Sequence, residues 1–179
     1  ESGYLQLDGI NDYLSLGTTT SSSAIAIQGD SEEGGDGISI AFWIYFPTLG
    51  SNEPIFRSHD HATDYRGYAV DKNSSNQISF SWYDGSGATS SDRETMTGDT
   101  TLSANTWYFV VITSTMATAT SGTKIYINTD SSSDSITNSG TGSITTPNYS
   151  GSSMTGIIGQ KLPSTDQWGQ FSIKNIGIW

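Results

Sequence analysis

His59, Asp60, His61 and Asp64 make the densest cluster of metal-type ligands in the chain. On an extended segment His59 and His61 project to the same side, as the start of a transition-metal site requires. No third ligand is identifiable, and a solvated acidic loop carrying two imidazoles accounts for the same residues. Asp8, Asn11 and Asp12 form the tightest group of hard oxygens on a turn. That donor type suits Ca²⁺. It equally suits Asx turns, in which these side chains accept bonds from nearby backbone N–H groups. A second acidic stretch, Asp30 to Asp36, lacks the spacing of a calcium-binding loop and reads as a solvated loop.

Hydrolysis of a glycosidic bond needs two carboxylates held on either side of it. The five glutamates, Glu1, Glu32, Glu33, Glu53 and Glu94, offer no such pair within an expected strand, and Arg93-Glu94 is expected in a Ser/Gly-rich loop. The two histidines accompany no Gly-x-Ser-x-Gly nucleophile turn. The expectation is therefore a protein that is not an enzyme. Sugar recognition needs flat aromatic rings for stacking, with polar side chains beside them for the hydroxyls. The segments 59–66 and 83–93 combine both: Tyr65 and Tyr83 as platforms, Asp64, Arg66, Asp84 and Arg93 as polar partners, and His59 and His61 on the rim. Simple shielding of sheet edges explains these side chains as well.

The elements that would position such a rim are strands. In Ile38 to Phe46 every second residue is apolar: Ile38, Ile40, Phe42, Ile44 and Phe46. Gln77 to Tyr83 places Ile78, Phe80 and Trp82 on one face and Tyr83 on the other. Trp107 to Ser114 is apolar on both faces, which predicts a central strand buried on two sides. Further strands are expected at Tyr4 to Leu7, Tyr13 to Leu16, Pro54 to Ser58, Arg66 to Asp71, Thr123 to Asn128, Gly156 to Gly159 and Phe171 to Trp179. Turn signals such as Asp8-Gly9, Asp84-Gly85 and Ser121-Gly122 punctuate them. No stretch carries helical periodicity. About ten short strands with polar loops predict an all-β sandwich or barrel in one domain, residues 1–179.

Composition narrows the function. The chain has 179 residues, Lys+Arg 7 against Asp+Glu 18, and a net charge of -11. Seven scattered cations cannot neutralise a run of phosphates, so nucleic acid is not an expected partner. Anionic membranes repel the chain, and no apolar run is long enough to insert in one. With Cys 0, disulfides and thiol chemistry are excluded. No signal peptide is read at the N-terminus, and the chain is expected to be excised from a longer protein. Asn73-Ser74-Ser75 and Asn148-Tyr149-Ser150 match the glycosylation sequon, a pattern common in Ser/Thr-rich chains.

Several segments, taken in order, resemble one family. Tyr4-Leu5-Gln6-Leu7-Asp8-Gly9-Ile10-Asn11-Asp12-Tyr13-Leu14 is similar to the opening of laminin-G-like and pentraxin-like domains of the concanavalin-A-like superfamily. Ile38 to Tyr45, with Trp43 on the tryptophan position, Leu102 to Val111, Lys124-Ile125-Tyr126-Ile127-Asn128 and Gly169 to Trp179 resemble its later strands. The resemblance implies a two-sheet antiparallel jelly-roll sandwich, with Trp43, Trp107 and Trp168 at core or edge positions. It implies a structural Ca²⁺ as one option. Two departures stand out: Asn128-Thr129 replaces the usual Asp-Gly, and Lys174-Asn175 replaces an acidic pair, which weakens a metal site built there. Family members that cleave glycans carry Glu-x-Asp-x-x-Glu on one strand, a pattern missing here. The function the resemblance implies is non-catalytic recognition of a glycan or surface polysaccharide, outside the cell, on a cell surface or on a virion. The alternative is a structural or decoration domain of a phage particle or bacterial surface protein, whose partners are the rest of the parent chain or virion proteins.

Overall fold

The computed structural model describes residues 3–19, 37–60, 66–84, 93–115, 122–128, 133–138, 154–161 and 167–179. Twelve strands run in the order β1 (Leu5–Asp8), β2 (Leu14–Thr19), β3 (Ile38–Tyr45), β4 (Glu53–Asp60), β5 (Arg66–Lys72) and β6 (Ile78–Asp84). They continue with β7 (Arg93–Gly98), β8 (Trp107–Ser114), β9 (Thr123–Ile127), β10 (Ile136–Asn138), β11 (Met154–Ile158) and β12 (Gln170–Ile178). One sheet has five strands, ordered β1-β12-β3-β8-β9; the other has seven, ordered β10-β7-β6-β5-β4-β11-β2. Every pairing is antiparallel, giving the jelly-roll sandwich.

The period-2 rhythm builds the core. Ile38, Ile40, Phe42 and Ile44 of β3 join Tyr108, Val110 and Ile112 of β8 on one side. Tyr68 and Val70 of β5 and Ile78, Phe80 and Trp82 of β6 face them from the other. Phe56, Tyr68, Phe80 and Trp82 form an aromatic ladder across the seven-stranded sheet, with successive ring centroids 5.5, 6.1 and 5.6 Å apart. Such pairs add to the area they bury.

Polar groups clamp the two sheets. Lys72 is fully enclosed, donates from Nζ to the Ser51 carbonyl at 2.5 Å, and lies over the Phe46 ring. Burial pushes its pKa down, and the nearby Glu53 carboxylate opposes that shift. Glu53 in turn accepts from the Ser51 hydroxyl (2.6 Å) and from the Gln170 amide (2.8 Å). The start of β4 is thereby tied to the start of β12 in the other sheet.

Three details depart from the strand reading. Arg93-Glu94 lies in a strand, β7, not in a loop; it pairs with β6 over Ser79 to Tyr83. Its inward positions are Glu94, Met96 and Gly98, so a glutamate stands where an apolar residue would have marked the rhythm. β8 is buried on one face only: Trp107, Phe109 and Val111 are half-buried on the outside of the five-stranded sheet. β10 is three residues long and was not foreseen.

Candidate functional site

A β-bulge creates the site. Strict alternation along β4 from Pro54 would turn Arg57 into the core. The register shifts between Pro54 and Phe56 instead, so Ile55 and Phe56 both join the core and Arg57 emerges on the outer face. There it pairs across β5: Arg57 Nη2 lies 2.6 Å from Asp71 Oδ1. Both side chains are largely covered, at 8% and 23% exposed. A charge-assisted contact this short fixes the guanidinium in place.

The outward residues of β6 and β7 continue the surface. Ser79 Oγ meets Thr97 Oγ1 at 3.0 Å and Ser81 Oγ meets Thr95 Oγ1 at 2.8 Å. Tyr83 follows, 4% exposed, with Arg93 directly opposite it in the register. Burial raises the Tyr83 pKa; the charge of Arg57 opposes the rise, Asp71 adds to it, and Arg93 opposes it through both its charge and a hydrogen bond to the phenol. Lys161 and Gln167 complete the rim, held together by the Lys161 amide donating to the Gln167 carbonyl at 3.0 Å. The resulting groove encloses about 290 Å³, near the roughly 300 Å³ at the small end of ligand sites. Its walls are hydroxyls, amides, two guanidiniums, one ammonium and one carboxylate. That set can bond the ring hydroxyls of a sugar residue.

A family model described as the concanavalin A-like lectin/glucanases superfamily, of the laminin-G type, matches residues 11–179. The chain belongs to this superfamily. Among curated proteins, none matches the sequence. Of solved structures, the heptameric SAP-like pentraxin of Limulus polyphemus is similar over 97% of this chain and 74% of its own, at TM-score 0.58 and 11% identity. The Trypanosoma rangeli sialidase, bound to a difluoro-KDN ligand, is similar over 98% of this chain and 25% of its own, at TM-score 0.53 and 12% identity. The binding domain of botulinum neurotoxin DC, in complex with SialylT, is similar over 80% of this chain and 32% of its own, at TM-score 0.51 and 19% identity. At such identities the likeness is one of fold: a lectin-like sandwich.

The register places several of the expected rim residues together. His59 pairs with Gly67, Gly67 with Tyr83, and Tyr83 with Arg93, forming one cross-strand row at the end of the seven-stranded sheet. Arg66 pairs with Asp60 and with Asp84 in the next row. Of these, the side chains of Tyr83 and Arg93 are described, and both line the groove. His61, Asp64 and Tyr65 lie outside the described residues. Tyr83 is too covered to act as an open stacking platform; it contributes a wall of the groove. Trp82, its neighbour, is wholly in the core.

Arg57, Asp71, Ser79, Ser81, Thr95 and Lys161 were not anticipated. Alternation could have supplied Ser79 and Ser81, since both share the outward parity of Tyr83. Arg57 could not be found that way, because the bulge reverses its parity.

The opening turn shows what Asp8, Asn11 and Asp12 do. Asp8 Oδ1 accepts from the Ile10 amide at 2.8 Å and from the Asn11 amide at 3.5 Å, and Asp12 Oδ2 accepts from the Asp8 amide at 3.2 Å. Lone pairs of both carboxylates go to local backbone. Ca²⁺ takes six to eight oxygens, and among the described residues no group of three or more His, Asp or Glu side chains could hold a metal. By themselves these three side chains supply fewer oxygens than the ion takes.

Trp43 and Trp107 are not core residues. Both are half-buried on the outer face of the five-stranded sheet, where Trp43 packs on Phe109 (5.3 Å) and Trp107 on Tyr45 and Tyr4 (5.6 and 5.9 Å). Trp168 is at an edge, bridging Gln160 and packing on Tyr13.

Proposed function

We propose that this domain is a non-catalytic carbohydrate-binding module, taking a glycan or surface polysaccharide in the groove on the outer face of the seven-stranded sheet. The observation that carries the reading is the Arg57–Asp71 pair, fixed in a groove whose lining also includes serine and threonine hydroxyls, side-chain amides, the Tyr83 phenol, Arg93 and Lys161. Planar, pre-oriented groups beside hydroxyls are suited to sugar hydroxyls, because their ordering cost is met on folding. Asp71 is the one carboxylate among the described lining residues, and it is engaged by Arg57. Paired-carboxylate hydrolysis needs two, which supports binding without turnover. The superfamily and the ligand-bound structures it resembles favour the same class of partner; a setting outside the cell, on a cell surface or on a virion is part of the same proposal.

A broad glycan array, followed by calorimetry on the strongest hits, tests the proposal. Binding that is lost in Asp71→Asn and retained in Trp107→Ala is the expected result; no binding anywhere on the array sinks it.

A second reading, a structural or decoration domain docked on parent-chain or virion proteins, has one observation in its favour. The five-stranded sheet turns Tyr4, Trp43, Tyr45, Trp107 and Phe109 outward, an aromatic face of the kind protein interfaces cover. In that case Trp107→Ala, rather than Asp71→Asn, weakens assembly.

A further inference from the structure

We infer that the groove selects an acidic polysaccharide, one bearing a carboxylate or sulfate on its repeating unit. The inference rests on reading the groove as a glycan site and adds the charge of the ligand. The chain has an excess of eleven negative charges and seven basic residues in all. Three of the seven, Arg57, Arg93 and Lys161, line this one groove, against the single carboxylate of Asp71.

The pairing of those charges sharpens the point. Arg57–Asp71 is the one ion pair among the described residues. Arg93 engages the Tyr83 phenol, and neither Arg93 nor Lys161 has a described carboxylate within ion-pair distance. In a protein so rich in Asp and Glu, two cations gathered in a recess with no counter-charge among the described residues give the described walls a positive balance. The surrounding acidic surface repels anions at long range, whereas cations in a cleft with low-dielectric walls attract them at short range. A neutral sugar gains hydrogen bonds from the two cationic groups but no net charge attraction. An anionic sugar ring gains both, with donor and acceptor each charged. Duplex nucleic acid is a poor candidate, since three cations on a chain of charge -11 cannot offset repulsion along a phosphate backbone.

The test is affinity electrophoresis and calorimetry of the intact chain against polygalacturonate and alginate (carboxylate), dextran sulfate and chondroitin sulfate (sulfate), and dextran and galactomannan (neutral). The expected result is retardation by acidic polymers at least about tenfold stronger than by neutral ones, weakened by salt. The carboxylate and sulfate arms identify the anion. The Arg93→Gln/Lys161→Gln double variant loses that preference, while Lys124→Gln, an exposed position on β9 of the other sheet, retains it; circular dichroism checks that both fold. Neutral polymers binding as tightly as acidic ones, or a double variant with undiminished preference, overturns the inference and leaves a glycan site standing. Failure of every polymer overturns both.

Discussion

Lys174 lies over the indole of Trp107, its ammonium 4.6 Å from the ring centroid and 5.8 Å from that of Trp43. This contact sits on the segment that resembles the family's acidic pair, and it follows from plain alternation: Phe171 and Ile173 face the core, so Lys174 faces outward opposite Trp43, just before the register of β12 shifts toward Gly177. A cation over two ring faces is attracted by their quadrupoles, worth about 0.5–1 kcal/mol at a partly exposed site. Trp107→Ala is expected to lower stability by about 1–3 kcal/mol through lost packing, and Lys174→Ala by about 0.5–1 kcal/mol. Groove binding should be unchanged in both, because the two faces belong to different sheets. Urea midpoints and calorimetry on the same preparations check this; a Lys174→Ala loss as large as that of Trp107→Ala would contradict the assignment.

The Arg57–Asp71 pair makes a different prediction. Its oxygen–nitrogen distance of 2.6 Å and low exposure mean that removing one partner strands the other charge in a poorly hydrated place. Arg57→Met should cost less than Asp71→Asn once packing is matched, since the charge it strands, on Asp71, is better hydrated than the Arg57 charge stranded by the other change. A double-mutant cycle should return a coupling of about 1–3 kcal/mol. A coupling near zero would mean that the contact orients nothing and that the groove is not pre-formed.

High pH should unfold the protein through its tyrosines. Burial raises the phenols of Tyr68 and Tyr83 above the ordinary 10.0, so the folded state keeps protons that the unfolded chain releases. Their contribution is complete below pH 10 and is lost as pH climbs toward the folded values. Lys72 works in the opposite direction: its lowered pKa makes the folded state release a proton first, so stability rises with pH in the window below 10.5. Guanidinium midpoints from pH 7 to 11.5 should therefore rise gently, then fall steeply above pH 10. Tyr68→Phe should flatten the fall and Lys72→Met the rise. Identical profiles in all three proteins would show that these groups titrate alike in both states.

Most of the scaffold was legible from runs of β-branched and aromatic residues: the alternation of Ile38 to Phe46 forms β3 to within one residue, and Trp107 to Ser114 forms β8 over its expected length. β7 was hidden by Glu94, an inward residue 1% exposed, whose charge reads as loop or surface until its neighbours Trp82 and Met96 are in view. Alternation along Ile38 to Phe46 already put Trp43 and Tyr45 opposite the core face, whereas Trp107 and Phe109 were misread because both faces of their strand are apolar and local sequence does not say which one a second sheet covers. At the groove, Tyr83 and Arg93 were within reach of parity. Arg57 was not, since one extra residue in β4 inverts the pattern, and Lys161 arrives from a segment beyond β11 whose position only the sheet order reveals. Cross-strand proximity is the part of a site that local sequence does not encode.

Calcium gives the last prediction. Asp8 and Asp12 already hold the opening turn by accepting the Ile10, Asn11 and Asp8 amides, and Gly9, at φ 79°, packs so closely on Gln170 that a Cβ there would lie 2.8 Å from the Gln170 Cβ. A turn closed in this way needs no ion to stay folded. Melting temperatures in EDTA and in millimolar Ca²⁺ should therefore agree, since a ligand of the native state alone must raise Tm. Asp8→Ala should cost about 0.5–2 kcal/mol, the usual value of side-chain bonds to orphan amides at a chain reversal, and equally in both buffers. A Ca²⁺-dependent rise that disappears in Asp8→Ala or Asp12→Ala would place the ion at this turn after all, completed by oxygens from outside the described residues.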